Sequence, residues 1–177
     1  MTAALPVEEF DRSFQGQHLF TTYFDTSDFA LRKARVNKES YLTIRVRCYE
    51  PSGIYAFSAK TEQAKYRREI DGQLAEALLQ TGIHSHEWTD LLPADLVARL
   101  LDLAGDAPLV PVVCVAFRRY AVEDSQDRLT LDVDIKTDTG KCFPSSVLEY
   151  KSTQEDVRFD FAFRPIKLSK FLWSTKQ

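Results

Sequence analysis

Basic side chains recur at alternating positions in several short segments of this sequence: Arg45 and Arg47, then Lys60, then Lys65 and Arg67, then Arg118 or Arg119, Arg128 and Lys151. Residues two apart share one face of a strand, so each segment would carry its cations on a single side. A one-sided sheet with its charges in water shows the same alternation. What separates the two cases is the recurrence on successive segments, with few acidic residues on the same faces. A curled antiparallel sheet would gather these groups into one interior, which repels itself unless a polyanion neutralises it. Guanidinium forks match phosphate oxygens bidentately and lysines act as movable point charges, a mixture suited to a linear phosphate polymer.

Phosphoryl transfer asks the protein for positioning and charge stabilisation, commonly with a divalent metal. Glu149, in the strand-like segment Leu148-Glu149-Tyr150-Lys151, is the natural carboxylate for Mg²⁺ or Mn²⁺, with Asp132 or Asp134 as a second oxygen ligand. The bland alternative is a surface pair between Glu149 and Lys151. Asp25 and Asp28 flank a turn and read as turn stabilisers, and His84-Ser85-His86 reads as a surface loop with no third ligand. The sequence has no G-x-x-x-x-G-K-[ST], G-x-G-x-x-G or G-x-S-x-G, so phosphate recognition falls to side chains.

Periodicity supplies the elements that must hold these groups. Strands are predicted over His18–Phe24, Tyr41–Tyr49, Ile54–Lys60, Lys65–Ile70, Leu109–Phe117, Arg128–Ile135 and Ser146–Lys151. In the second of these, Leu42, Ile44, Val46 and Cys48 oppose Thr43, Arg45 and Arg47. In the last, Glu149 and Lys151 oppose Leu148 and Tyr150. A helical middle follows the fourth strand: Asp71 caps Gln73–Gln80, Gly82 ends it, and Pro93–Leu103 repeats the pattern. Ile166–Trp173 is predicted as a terminal helix.

The chain's 177 residues, 44% hydrophobic, match one domain with a full core, and no repeat or linker divides it. A formal charge of −3 argues against a protein that coats nucleic acid, so any anion site must be local. Cys48, Cys114 and Cys142 are widely spaced, there is no secretory signal and no stretch long enough to span a bilayer, which together point to a reducing cytoplasm.

Tyr23-Phe24-Asp25-Thr26, Thr43-Ile44-Arg45-Val46-Arg47, Leu148-Glu149-Tyr150-Lys151 and Ser169-Lys170-Phe171 occur in an order that resembles VTC domains, the polyphosphate-polymerase relatives of the CYTH or triphosphate tunnel superfamily. Phe117-Arg118-Arg119-Tyr120-Ala121 followed by Arg128-Leu129-Thr130-Leu131-Asp132 extends the likeness, which runs from about Leu19 to Phe171. The resemblance implies an α+β fold: one antiparallel β tunnel or barrel over residues 1–177, with a helical middle segment and a short C-terminal helix that helps to close it. It implies binding of ATP or another triphosphate, and of polyphosphate, by Arg45, Arg47, Lys60, Lys65, Arg67, Arg118 or Arg119, Arg128, Lys151, Ser169 and Lys170. Among these, Arg45, Arg47, Lys60 and Lys170 would take the catalytic role, with Mn²⁺ or Mg²⁺ on Glu149. The implied activity is a phosphotransferase of the polyphosphate-polymerase kind; a triphosphatase, or a non-catalytic domain that binds polyphosphate or inositol phosphates, is the alternative. A membrane protein partner is compatible with it, and nucleic acid is not an expected ligand. The family's usual first strand carries alternating Glu/Arg and Lys residues. Here only Val7-Glu8-Glu9-Phe10 is available, without a lysine in register, so that strand is expected to be missing or to lie upstream. Phe171 also replaces the family's terminal tyrosine.

Overall fold

The alternating segments assemble edge to edge. The computed structural model describes residues 16–123, 127–152 and 169–175. Within them β1 (Gln17–Asp25), β2 (Thr43–Glu50), β3 (Ile54–Lys60), β4 (Lys65–Ile70), β5 (Val110–Glu123), β6 (Asp127–Thr137) and β7 (Val147–Ser152) pair in the order β4-β3-β2-β1-β5-β6-β7. Every neighbouring pair is antiparallel. The edges β4 and β7 are not hydrogen-bonded to each other, so this is an open sheet and not a closed barrel. It is curled all the same, because side chains from both edge strands line a single cavity.

Two apolar clusters hold the curl, one on each face. Outside, Ile44, Val46, Phe57 and Ala59 pack under the helical middle, meeting Leu78, Trp88, Leu96 and Leu100. Those partners come from α2 (Gly72–Thr81), α3 (Trp88–Leu91) and α4 (Ala94–Ala104). Inside, Leu19, Tyr23, Val113, Val115, Phe117 and Ile135 pack against Phe171. Phe171 belongs to α5 (Lys170–Ser174), where Ser169 Oγ accepts the backbone N–H of Leu172 as the cap. The predicted helix over Ile166–Trp173 is thus represented by its C-terminal part; residues 166–168, like Val7–Phe10, lie outside the described residues.

The helix α1 (Ala30–Val36) was not foreseen, since only two of its seven residues, Leu31 and Ala34, are buried and the apolar signal is too short to read. Buried Asp25 anchors it: Oδ1 accepts the N–H groups of Thr26 and Leu31, and Oδ2 that of Arg32, all at 2.8–2.9 Å. Burial raises the Asp25 carboxyl above its ordinary value despite those bonds. The predicted loop at His84-Ser85-His86 instead forms a short 3₁₀ turn, Ser85–Glu87, in which Glu87 accepts the N–H of His84 at 2.7 Å.

A bulge separates the two halves of the β5–β6 pairing. Between Ala116 and Arg118 the register gains one residue on β6, and Asp134 adopts the left-handed φ of 53° there. No helix among the described residues is long and apolar enough to cross a membrane.

Candidate functional site

The concave face of the sheet encloses a cavity of about 1120 Å³ to which all seven strands contribute. Cross-strand register explains its wall. Thr43 stands opposite Lys60 and Lys60 opposite Lys65; Arg45 stands opposite Ser58 and Ser58 opposite Arg67. The alternation of β2 therefore continues across β3 and β4 as one cationic surface. Ten basic and three acidic side chains line the cavity among the described residues, in a chain whose overall charge is −3.

Those charges divide into two walls. On β2, β3 and β4, none of Arg45, Arg47, Lys60, Lys65 and Arg67 has a carboxylate within 4.0 Å among the described residues. Arg47, only 9% exposed, donates from Nε to Thr21 Oγ1 at 2.9 Å, and Arg45 Nε is buried without a hydrogen-bond partner. Such groups are expensive to leave unsatisfied. Burial, followed by the charge of Arg45, draws Arg47 down to about 10. Lys65 falls to about 8, first through burial and then through Arg45, Arg47, Arg67 and Lys151. Lys151, on the opposite sheet edge, lines the same cavity as Lys65.

The other wall is internally compensated. Asp132 accepts from Arg119 Nε and Nη2 at 2.6 and 2.7 Å and from Lys170 Nζ at 2.6 Å. Burial alone would raise its carboxyl, but the bonds and charges of Arg119 and Lys170 outweigh it and hold Asp132 below the ordinary value. Further along β6 and β7, Arg128 stands opposite Lys151 and Thr130 opposite Glu149. Glu149 is half exposed, 3.5 Å from Lys151, and Thr130 Oγ1 is buried without a partner beside it.

The structure thus brings Arg45, Arg47, Lys60, Lys65, Arg67, Arg119, Arg128, Glu149, Lys151, Ser169 and Lys170 to one cavity. It does not bring Arg118, whose side chain lies on the outer face and pairs with Asp134 at 2.9 Å. Strand parity had left Arg118 and Arg119 undecided because Arg119 shares a face with Val115 and Phe117. That face is the inner one: apolar through Phe117, where it meets Phe171, and cationic from Arg119 onward.

The second carboxylate expected beside Glu149 is not available there. Asp134 points outward to Arg118, and Asp132 is taken by Arg119 and Lys170. No cluster of three or more His, Cys, Asp or Glu side chains converges among the described residues. Glu149 alone still fits Mg²⁺ or Mn²⁺ carried in on phosphate, since such ions accept one carboxylate plus phosphate oxygens and water. Sequence reasoning missed Arg35 and Tyr41, which reach the cavity from α1 and the loop before β2. A lone arginine on an unforeseen helix carries no alternation to reveal it.

Solved structures share this fold, a curled antiparallel sheet with helices packed outside. One is a candidate adenylate cyclase from Bacillus halodurans, with a TM-score of 0.54 and 20% identity over 79% of this chain and 67% of that one. Another is a candidate adenylyl cyclase from Hippeastrum, described as having a dominant triphosphatase activity, with a TM-score of 0.52 and 14% identity over 84% and 72% of the two chains. No curated protein matches the sequence. The VTC domain family matches residues 1–173, and the chain belongs to that family.

Proposed function

We propose that this domain binds triphosphate and polyphosphate in its cavity and catalyses metal-dependent phosphoryl transfer from a nucleoside triphosphate such as ATP to a polyphosphate end. The observation that carries the reading is the wall of five cations on β2, β3 and β4 without a carboxylate partner among the described residues. A linear polyanion is the ligand that relieves it. Membership of the VTC family and the triphosphatase activity described for the Hippeastrum protein support phosphate chemistry in this fold.

In this reading Arg45, Arg47, Lys60, Lys65 and Arg67 hold the phosphate chain and spread the negative charge of the transferred group. Arg119, Lys170, Arg128 and Lys151 face it from the other wall. Mn²⁺ or Mg²⁺ bound to Glu149 and phosphate oxygens would supply further charge neutralisation. The bond from the γ-phosphorus to the β–γ bridging oxygen breaks, a bond to a terminal oxygen of the polymer forms, and the nucleoside diphosphate leaves.

Incubation with ATP, polyphosphate primer and Mn²⁺, followed by separation of polymer and free phosphate, tests the reaction. Arg45→Ala or Arg47→Ala should each weaken tripolyphosphate binding by about 1–3 kcal/mol, roughly 5- to 150-fold, whereas Arg118→Ala on the outer face should not. Glu149→Gln should abolish turnover while sparing binding. Tight binding indifferent to metal and to Glu149→Gln, with no turnover, would assign a polyphosphate-binding domain instead, a reading that the lone carboxylate favours. Phosphate release without polymer would assign a triphosphatase.

A further inference from the structure

We propose that Arg35 and Tyr41 form a stacking subsite for the nucleobase at the cavity rim, so that a nucleoside triphosphate enters phosphates first. The inference rests on the phosphate-binding reading of the cavity and adds to it a place and an orientation for the nucleoside.

The Arg35 guanidinium lies 3.9 Å from the Tyr41 ring centroid, and its Nη1 donates to Thr43 Oγ1 at 3.2 Å. Lys60 Nζ is 5.8 Å from the same ring. All three side chains line the cavity. Arg35 is half-buried, yet no carboxylate lies within 4.0 Å of it among the described residues. A guanidinium has two faces; Tyr41 occupies one, and a planar base is a chemical match for the other. A guanidinium already fixed by a ring and a hydroxyl loses little freedom when it stacks.

Burial along β2 and β3 gives the direction. Arg47 is buried, Arg45 half-buried and Lys60 exposed. Beside Arg47 the wall is apolar, with the Phe117 ring 5.7 Å from its guanidinium. The buried stretch at Arg47 therefore offers charge beside an apolar ring, suited to phosphate, while the exposed stretch at Lys60 offers the Arg35–Tyr41 shelf. A nucleotide placed on both puts its base at the rim and its γ-phosphate deepest. Stacking of this kind tolerates any base, because every base has a π-face.

Binding of ATP and of tripolyphosphate, measured side by side by calorimetry, tests the proposal without reliance on turnover. Tyr41→Leu removes the ring without changing charge, and Arg35→Lys keeps the charge without the plane. Each should weaken ATP about tenfold, within the range for loss of one stacked base, and leave tripolyphosphate within about twofold. Tyr41→Phe should retain ATP affinity. A 2-aminopurine nucleoside triphosphate should be quenched on binding to the native protein and less so on binding to Tyr41→Leu. Equal losses for both ligands, or unchanged ATP affinity in both variants, would overturn the subsite while leaving the phosphate site intact. If the native protein binds neither ligand, the phosphate-binding reading fails and the subsite with it.

Discussion

Replacing Asp132 with asparagine removes the one negative charge that Arg119 and Lys170 share. The three side chains are 3%, 14% and 16% exposed and joined by bonds of 2.6–2.7 Å, so water can replace little of what is lost. Removing one partner of a buried ion pair costs about 3–5 kcal/mol. Asparagine keeps a carbonyl acceptor, which places Asp132→Asn near the lower end, about 3 kcal/mol. In a domain of this size that lowers Tm by roughly 6–12 °C. The two released cations face the cavity, so an added polyanion should recover part of the loss. Tripolyphosphate at about 100 times its Kd stabilises by about 2.7 kcal/mol, and the variant's tighter Kd makes its shift larger than that of the native protein at equal ligand concentration. Thermal scans across a tripolyphosphate series measure both effects. The acid limb adds a signature. Asp132 titrates below its unfolded value, so its contribution is present above that value and disappears as pH falls through the folded one. The variant should lack that segment of the stability profile. An unchanged Tm without ligand, or a ligand-induced shift no larger than the native one, would refute Asp132 as an internal counter-ion.

Lys65 titrates near 8 when folded against 10.5 as its ordinary value, so the ligand-free protein should gain stability as pH rises through that interval, where the unfolded chain binds the extra proton. Tripolyphosphate affinity should fall over the same interval as Lys65 discharges. Lys65→Met should flatten both slopes, and calorimetry at about pH 8.5 in buffers of different ionisation heat should detect proton uptake on binding that the variant lacks. Phe171, 2% exposed and 5.2 Å from the Tyr23 ring, holds α5 inside the curl. Phe171→Ala should cost about 3–5 kcal/mol by chemical denaturation and weaken tripolyphosphate binding by releasing Lys170. A stability loss under about 1 kcal/mol would mean that α5 is not seated on that cluster.

Much of the site was legible because β2, β3 and β4 repeat one signal. Thr43, Arg45 and Arg47 alternate with Leu42, Ile44 and Val46, and the two faces became the cavity wall and the floor beneath the helices. What alternation could not reveal is which residue of one strand meets which of another. The pairing of Arg119 with Asp132 depends on β5–β6 register, and that register contains a bulge at Asp134 with no glycine to announce it. Asp132 consequently read as a metal ligand when it is a lock for two cations. Parity also misled where the curled interior changes character along a single strand. Val115 and Phe117 are as inward as Arg119, so an apolar run does not mark the outer face. Arg35 and Tyr41 were invisible because they reach the site from a short helix and a loop, neither of which has a period.

The compensated and uncompensated walls differ in what a ligand must do to bind. Against β2, β3 and β4 a phosphate would gain the full charge of Arg45, Lys60 and Arg67, because no carboxylate among the described residues holds them. Against Arg119 and Lys170 it must compete with Asp132, whose three short bonds are already made. On the proposed reading, a phosphate chain would settle on the first wall and meet the second only where its own charge density is highest, beside buried Arg47. Arg119 and Lys170 lie on that side of the inner apolar cluster, each within 5.3 Å of the Phe117 ring that also borders Arg47. A group whose negative charge rises during reaction can draw these two cations away from Asp132, whereas a resting phosphate gains less by doing so. In the proposed phosphoryl transfer, this differential would stabilise the transition state over bound substrate.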